Sequence, residues 1–295
     1  MQVLVPKGRY VVAVSGGVDS MVLLHVLSKN SDIELIVAHY DHGIRHDSEE
    51  DRQLVQAVAR DYGLKFVYDE GNLGPDASEN LARKARYEFL HKVRKASDSK
   101  SIITAHHQDD LLETAVINLL RGTDVKGLAS IGSNYSVLRP AIDFTKKDLV
   151  EYAKDNNIVW REDYTNKDVK YLRNYIRHKI IPSMTNDQKE ELIGHIKTAK
   201  SLDSQIEEIT THMLHLQSSV SEIDRKWFIS LPYSVSRQVM NVWLKKHNIK
   251  NLDKKSIVRL VNLAKTSVIN REFDLDEKHI LRISKENLSI IDAIR

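Results

Sequence analysis

The 295-residue sequence contains no cysteine. In this chain that excludes disulfides, thiolate-ligated zinc, iron–sulfur clusters and every mechanism built on a thiolate nucleophile. It also lacks any run of 18 consecutive apolar residues, and Met1-Gln2-Val3-Leu4-Val5-Pro6-Lys7-Gly8 is not a basic segment leading into a long apolar core. Neither membrane spanning nor export is expected, and the expected location is cytoplasmic. Charge of a single sign is missing too. Forty-four Lys and Arg against 41 Asp and Glu leave a net +3, so an anionic partner must be met by local patches. Internal repeats and low-complexity segments are absent, and the prolines at 6, 75, 140, 182 and 232 fall at element ends.

What remains is an ordinary globular composition, 41% hydrophobic and 29% charged, with length for about two domains. Short β-branched runs at Tyr10–Val14, Glu34–His39, Lys65–Asp69 and Ser101–Ala105 alternate with amphipathic stretches. Such alternation predicts an α/β domain, a parallel sheet with flanking helices. Gly63 closes a helix from about Asp47 to Tyr62, Asp76-x-x-Glu79 caps the next, and Thr145-x-x-Asp148 reads as a capping box. Past Pro182 the pattern turns helix-rich, with helices over 186–217, 233–248 and 253–265 and two or three short strands over 268–292. The expected boundary lies within 183–200, giving a catalytic domain 1–190 and a smaller, mostly helical domain 191–295. Three segments are basic: residues 83–100 hold seven Lys/Arg against two acids, 165–182 five against one, and 245–259 six against one. Solvated helix faces account for such runs as readily as binding does.

The first strand leads into Ser15-Gly16-Gly17-Val18-Asp19-Ser20, and Met21–Leu27 continues as a helix. Paired glycines let backbone N–H groups turn inward at a helix N-terminus, with the Ser15 and Ser20 hydroxyls as added donors, which makes a nest for phosphate. The lysine of GxxxxGK(S/T) is missing, as is the GxGxxG fingerprint, so the chemistry points to the α-phosphate. After the fourth strand come His106-His107-Gln108-Asp109-Asp110-x-x-Glu113. There an open α/β sheet binds ligands, and carboxylates gathered in a first helical turn are able to grip magnesium or an ammonium group. His39-x-x-His42 with His106-His107 offers imidazoles for a transition metal, but histidines beside a phosphate loop more often donate to phosphates or bases. Arg173 and Arg177, flanked by Lys170 and Lys179, form a stripe suited to phosphate.

The loop resembles the pyrophosphate loop of the N-type ATP pyrophosphatases. His39-Tyr40-Asp41-His42-Gly43-Ile44-Arg45, Glu79-Asn80-x-x-Arg83-x-x-Arg86-Tyr87, the His106–Glu113 string with Thr114, Arg121 and Gly122, and Asp163-x-x-Asn166 with Arg173-Asn174-x-x-Arg177-His178 and Pro182 narrow the resemblance to the tRNA(Ile)-lysidine synthetases. The matching strings run from 10 to 182. The C-terminal third matches none, although its size is similar to that of shorter members of the family. The resemblance implies an adenine-nucleotide hydrolase-like fold, ATP and Mg2+ as cofactors, and as partners tRNA(Ile) with a CAU anticodon and free L-lysine. It implies Ser15, Gly16, Gly17, Val18, Asp19, Ser20, His39, His42, Arg45 and His106 as nucleotide contacts. Asp19 would bind the metal, and Asp19, Arg86, Asp110, Glu113, Arg173 and Arg177 would be catalytic, with Asp110 and Glu113 receiving lysine's ammonium. A homodimer, known in some relatives, is left open.

Thiolating relatives need cysteines that this chain lacks. An ammonia-using amidating ligase and a catalytically idle tRNA-binding protein are the remaining rivals. In the C-terminal third, Lys245, Lys246, Lys250, Lys254, Lys255 and Arg259 are candidate tRNA phosphate contacts, while Trp227 and Trp243 are expected in the core.

Overall fold

The computed structural model describes residues 1–43, 48–71, 74, 78–122, 125–129, 136–162, 172–216, 221–249, 252–268 and 270–293. Ile44, Arg45, Asp47, Asp76, Asp163, Asn166, Lys170 and Lys250, singled out from the sequence, lie outside the described residues, as does the side chain of Glu79. The chain divides into two compact units, Met1–Ala199 and Lys200–Arg295.

In the first unit β1 (Gly8–Ala13), α1 (Val18–Ser28), β2 (Ile33–Asp41), α2 (Ser48–Asp61), β3 (Lys65–Glu70), α3 (Glu79–Ala96), β4 (Ser101–Ile103), α4 (Gln108–Leu120), α5 (Val125–Ala129), β5 (Val137–Leu138) and α6 (Lys146–Asp155) follow in order. Among the described residues the strands form one sheet in the order β3-β2-β1-β4-β5, all pairs parallel. Because side chains alternate across a strand, neighbours in sequence serve opposite layers. Val12, Val37 and Ile103 pack with Leu23 and Leu24 of α1 and Val55 and Ala59 of α2, whereas Val11, Ala38, Ile102 and Val137 pack with Phe89 and Leu90 of α3. A sheet covered on both faces needs near-continuous apolar strands, and Tyr10-Val11-Val12 supplies one. The strand order reverses between β1 and β4, so the loops leaving their C-terminal ends flank the crevice where such sheets take ligands.

Two capping assignments resolve differently. The Thr145–Asp148 box closes α6 reciprocally, with Thr145 N donating to Asp148 Oδ2 at 2.8 Å and Asp148 N donating to Thr145 Oγ1 at 3.1 Å. Helix α3 is capped by Ser78, whose Oγ accepts from Leu81 N at 3.3 Å; Ser78 directly precedes the first helical residue, the place from which a hydroxyl reaches that amide. Strand β5 was not expected, since two residues carry no alternation.

Beyond α6, the short α7 (Leu172–Tyr175), a π-helical turn (Ile176–Ile180) and α8 (Ile181–Ser183) precede α9 (Asn186–His215). The division between the units, after Ala199, falls inside α9 and within the expected 183–200 interval. The second unit adds β6 (Glu222–Asp224), α10 (Arg225–Ser230), α11 (Tyr233–Lys246), α12 (Lys254–Thr266), β7 (Arg271–Asp274), β8 (His279–Ile283) and β9 (Asn287–Asp292). Its antiparallel sheet runs β6-β9-β8-β7, so β6 joins the two or three strands foreseen over 268–292. Trp243 and Phe228 are fully enclosed in its core and Trp227 packs against them. No described helix is long and apolar enough to cross a membrane.

Candidate active site

Three helix N-termini meet at the crevice. Gly17 caps α1, His107 caps α4 and Thr145 caps α6. Gln108 N donates to the Phe144 carbonyl at 2.8 Å, and Lys146 N donates to Asp109 Oδ2 at 2.7 Å, which joins the starts of α4 and α6. The ammonium of Lys146 then spans to both carboxylate oxygens of Asp19, at 2.7 and 2.8 Å, which joins α6 to α1. The dipole ends of three helices therefore converge, an arrangement suited to polyanion binding.

The Ser15–Ser20 loop is stapled from within. Ser20 Oγ donates to the Gly17 carbonyl at 2.9 Å and accepts from Ser15 N at 3.1 Å. The Ser20 side chain, expected to face the phosphates, is buried and holds the loop's shape instead; Ser15 is exposed at the mouth. Gly16 has φ of 93°, a conformation that glycine alone adopts without strain.

Opposite the loop, His107 is buried among three carboxylates. Its ring nitrogens lie 3.7 Å from Asp19, 3.4 Å from Asp109 and 3.4 Å from Asp110. Burial opposes its charged form, but Asp109, Asp19 and Asp110 outweigh burial and push its pKa up to about 10. The imidazolium in turn, with Lys146, holds Asp19 below the usual carboxylate range although burial acts the other way. Adjacent His106 goes the opposite way. Burial carries its pKa down to about 3, against the pull of Asp110 and with the push of Arg139, Arg83 and Arg86, and its Nδ1 lies 2.8 Å from Thr104 Oγ1. One step along the chain thus separates a cationic histidine from a neutral one.

Glu113, expected with Asp110 to receive lysine's ammonium, is enclosed. Only 1% exposed, it accepts from Arg177 Nε at 2.5 Å and Nη2 at 2.9 Å, and Arg173 Nε lies 3.8 Å away. Burial raises its pKa while Arg177 draws it down. The expected phosphate stripe of Arg173 and Arg177 is turned inward, because the π turn carrying Arg177 packs against α4 and a buried carboxylate must be paired. Such turns are frequent at functional sites. Asp110 is the more open acid, 23% exposed at its side chain; it meets Arg177 Nη2 at 3.3 Å and accepts from His107 N at 3.0 Å.

The remaining expected residues divide. Arg83 and Arg86 both lie over the Tyr87 ring, at 4.9 and 5.6 Å. His39 is buried at the end of β2, where its Nδ1 meets the Val14 carbonyl at 2.9 Å and burial lowers its pKa, so it braces the strand that feeds the loop. His42 packs edge-on against Tyr40 at 5.0 Å. Lys146 and Arg139 belong to the site and were not singled out. A lysine at the first position of a helix opposes the helix dipole, and that anomaly was the available signal. Arg139 directly follows β5, at the same C-terminal end of the parallel strands as the loop.

Among the described residues no three His, Asp or Glu side chains are arranged to hold a metal ion by themselves. Magnesium takes one or two carboxylates and completes its shell with phosphate oxygens and water. Asp19 fits that donor chemistry: both of its oxygens already hold a cation, the Lys146 ammonium.

Residues 2–184 match the model of the PP-loop domain family. A tRNA(Ile)-lysidine synthase of Thermotoga maritima is 42% identical over 192 residues, covering 61% of this chain and 46% of the relative. That of Exiguobacterium sibiricum is 33% identical over 273 residues, 89% of this chain and 65% of the relative; that of Chlorobaculum tepidum is 32% identical over 236 residues, 76% and 71%. The chain thus spans from about half to about seven-tenths of the length of these relatives. Among solved structures, the U34-tRNA thiolase NcsA from Methanococcus maripaludis, with its iron–sulfur cluster, superposes with a TM-score of 0.57 over 68% of this chain and 73% of that one at 16% identity, a likeness of fold. From the loop, the sheet order and these similarities together, the chain belongs to the PP-loop domain family and, within it, to the tRNA(Ile)-lysidine synthases.

Proposed function

We propose that the chain is a ligase that uses ATP to join L-lysine to C2 of the wobble cytidine of tRNA(Ile) with a CAU anticodon. In the first step the cytidine's C2 oxygen attacks the α-phosphate of ATP and pyrophosphate departs. In the second, the ε-amine of lysine displaces AMP at C2. Lysidine, AMP and pyrophosphate are the products.

The observation that carries this reading is the meeting of three helix N-termini around Asp19, Asp109 and Lys146 beside the Ser15–Ser20 loop. Charge that builds up on a departing pyrophosphate needs preorganised donors, and the loop amides with the start of α1 supply them. Asp19 would hold magnesium, which when bound neutralises phosphate charge. Lys146, released from Asp19, has an ammonium at hand for the leaving phosphates, and Arg86, near His106, serves the α-phosphate.

Lysine arrives as an ammonium with a pKa near 10.4 and must lose a proton before attack. Of Asp110 and Glu113, Asp110 is the carboxylate open enough to receive it. Glu113 acts through Arg177: the pair fixes the guanidinium that also touches Asp110, so Glu113 positions rather than contacts. For the second unit the proposed role is contact with tRNA phosphate, concentrated on the exposed Lys254, Lys255 and Arg259 of α12. Lys245 lies 3.3 Å from Glu207 and Lys246 3.1 Å from His215.

The test is pyrophosphate release from ATP and magnesium in the presence of unmodified tRNA(Ile) bearing CAU, with and without lysine, followed by mass analysis of the wobble nucleoside. A lysine-sized mass gain is expected. Release without that gain, restored by ammonia, would favour an amidating ligase, and absence of release would favour an idle tRNA-binding protein.

A further inference from the structure

Gly16 and Gly17 give the phosphate loop its shape, and glycine's freedom means that something outside the loop must hold that shape. The Gly16 carbonyl accepts a hydrogen bond from Arg161 N at 3.0 Å. In a trans peptide the carbonyl and the following N–H point in opposite directions. The bond that draws Gly16 O toward Arg161 therefore aims the Gly17 amide away from it, toward Ser15 Oγ, 3.5 Å distant at the mouth of the loop.

Arg161 is itself held. Its Nε donates to Asp51 Oδ1 at 2.7 Å, and its Nη1 pairs with Glu50. Asp51, in the first turn of α2, is 6% exposed and backs directly on the loop: a Cβ placed on Gly16 would lie 3.3 Å from that of Asp51. Residues 110 positions apart in the chain thus form a brace behind the one peptide that must not flip. A flipped Gly16–Gly17 peptide would present an oxygen, not an amide, to an incoming anion.

We infer that Asp51 and Arg161 are positioning residues for the phosphate loop, which hold the Gly17 amide toward the pyrophosphate end of the nucleotide. The inference rests on the reading of Ser15–Ser20 as a pyrophosphate loop. Arg161 does two things at once: it anchors the Gly16 carbonyl through its own backbone, and its guanidinium offsets the charge of the buried Asp51 carboxylate that backs on the loop. Removing the guanidinium alone should therefore cost more than removing both charges.

Calorimetric titration of the full chain with magnesium and ATP, inorganic pyrophosphate or AMP separates the possibilities, with a thermal melt of each variant as a check of folding. Arg161→Met is expected to weaken ATP and pyrophosphate by more than about tenfold, the weight of one backbone donor to a charged group, and to leave AMP unchanged. Asp51→Asn with Arg161→Met should bind pyrophosphate more tightly than Arg161→Met alone, and Arg161→Lys should recover most of the affinity. Wild-type affinity for pyrophosphate in Arg161→Met would overturn the proposal, as would an equal loss for AMP, which marks general loosening. Wild-type protein that binds neither ATP nor pyrophosphate would overturn the loop reading itself and the brace with it.

Discussion

The two compact units bury charge in opposite ways. In the unit 1–199, His107, Asp51 and Glu113 are buried, and each meets an opposite charge on a side chain remote in sequence or on a neighbouring helix turn. In the unit 200–295 the guanidinium of buried Arg225 is held by backbone: it donates to the carbonyls of Ala264 at 3.1 Å, Ser267 at 2.6 Å and Ser284 at 2.9 Å. Two of those carbonyls close the C-terminus of α12, where the dipole favours a cation, and the third lies in the β8–β9 turn. A charge paired with another side chain is able to change partners when a ligand arrives. One locked onto helix-end carbonyls is not. The first pattern marks a site and the second a keystone of the fold.

The sharpest way to break that contrast is to strip one partner from each kind of charge. Arg177→Met leaves Glu113 buried beside a single weaker partner, and loss of one member of a buried pair costs about 3–5 kcal/mol. Urea denaturation should show a loss at the low end of that range, since Arg173 remains 3.8 Å away, and Arg177→Met combined with Glu113→Gln should recover much of it. A double variant as weak as the single would mean that packing of the guanidinium, not the stranded carboxylate, sets the cost. Arg225→Met comes next, at about 3 kcal/mol for orphaned carbonyls. Hydrogen exchange should quicken in α12 and in the β8–β9 turn, with ATP affinity unchanged. Lost ATP affinity would show that the two units do not separate as site and keystone.

Much of the first unit was legible because its signals are local. Val11-Val12, Ile36-Val37 and Ile102-Ile103 read as buried strands from residue type alone, and the Ser15–Ser20 string identified the turn that follows β1. What stayed hidden depends on which strand ends become neighbours. Lys146 reaches Asp19 across 127 residues and Arg177 reaches Glu113 across 64, so in the linear sequence nothing singled out Lys146, and Arg177 read as a phosphate contact. The π turn at Ile176–Ile180 carries no composition of its own, and tertiary packing against α4 selects it. In the second unit the reverse held for Trp243: one bulky apolar residue at helical spacing was enough to place it in the core. Arg225 gave no such warning, because the carbonyls that hold it follow from helix and hairpin ends, not from any residue type.

The smallest effect tests the His107 cluster itself. With its pKa pushed up to about 10 in the folded chain against about 6.5 unfolded, His107 binds a proton more tightly when folded. Its contribution to stability is therefore complete below about pH 6.5 and is lost as pH rises through about 10. Lysines and tyrosines titrate near the upper end of that window, so the informative quantity is the difference between wild type and His107→Gln, measured with chelator present to keep metal from Asp19. Between pH 7 and 9 the wild type should lose on the order of 2 kcal/mol relative to the variant. Parallel pH profiles would mean that His107 is neutral and that Lys146 alone balances Asp19, in which case the carboxylates beside the phosphate loop would be short of one positive charge and Lys146→Met would be far more damaging than its half-exposed position suggests.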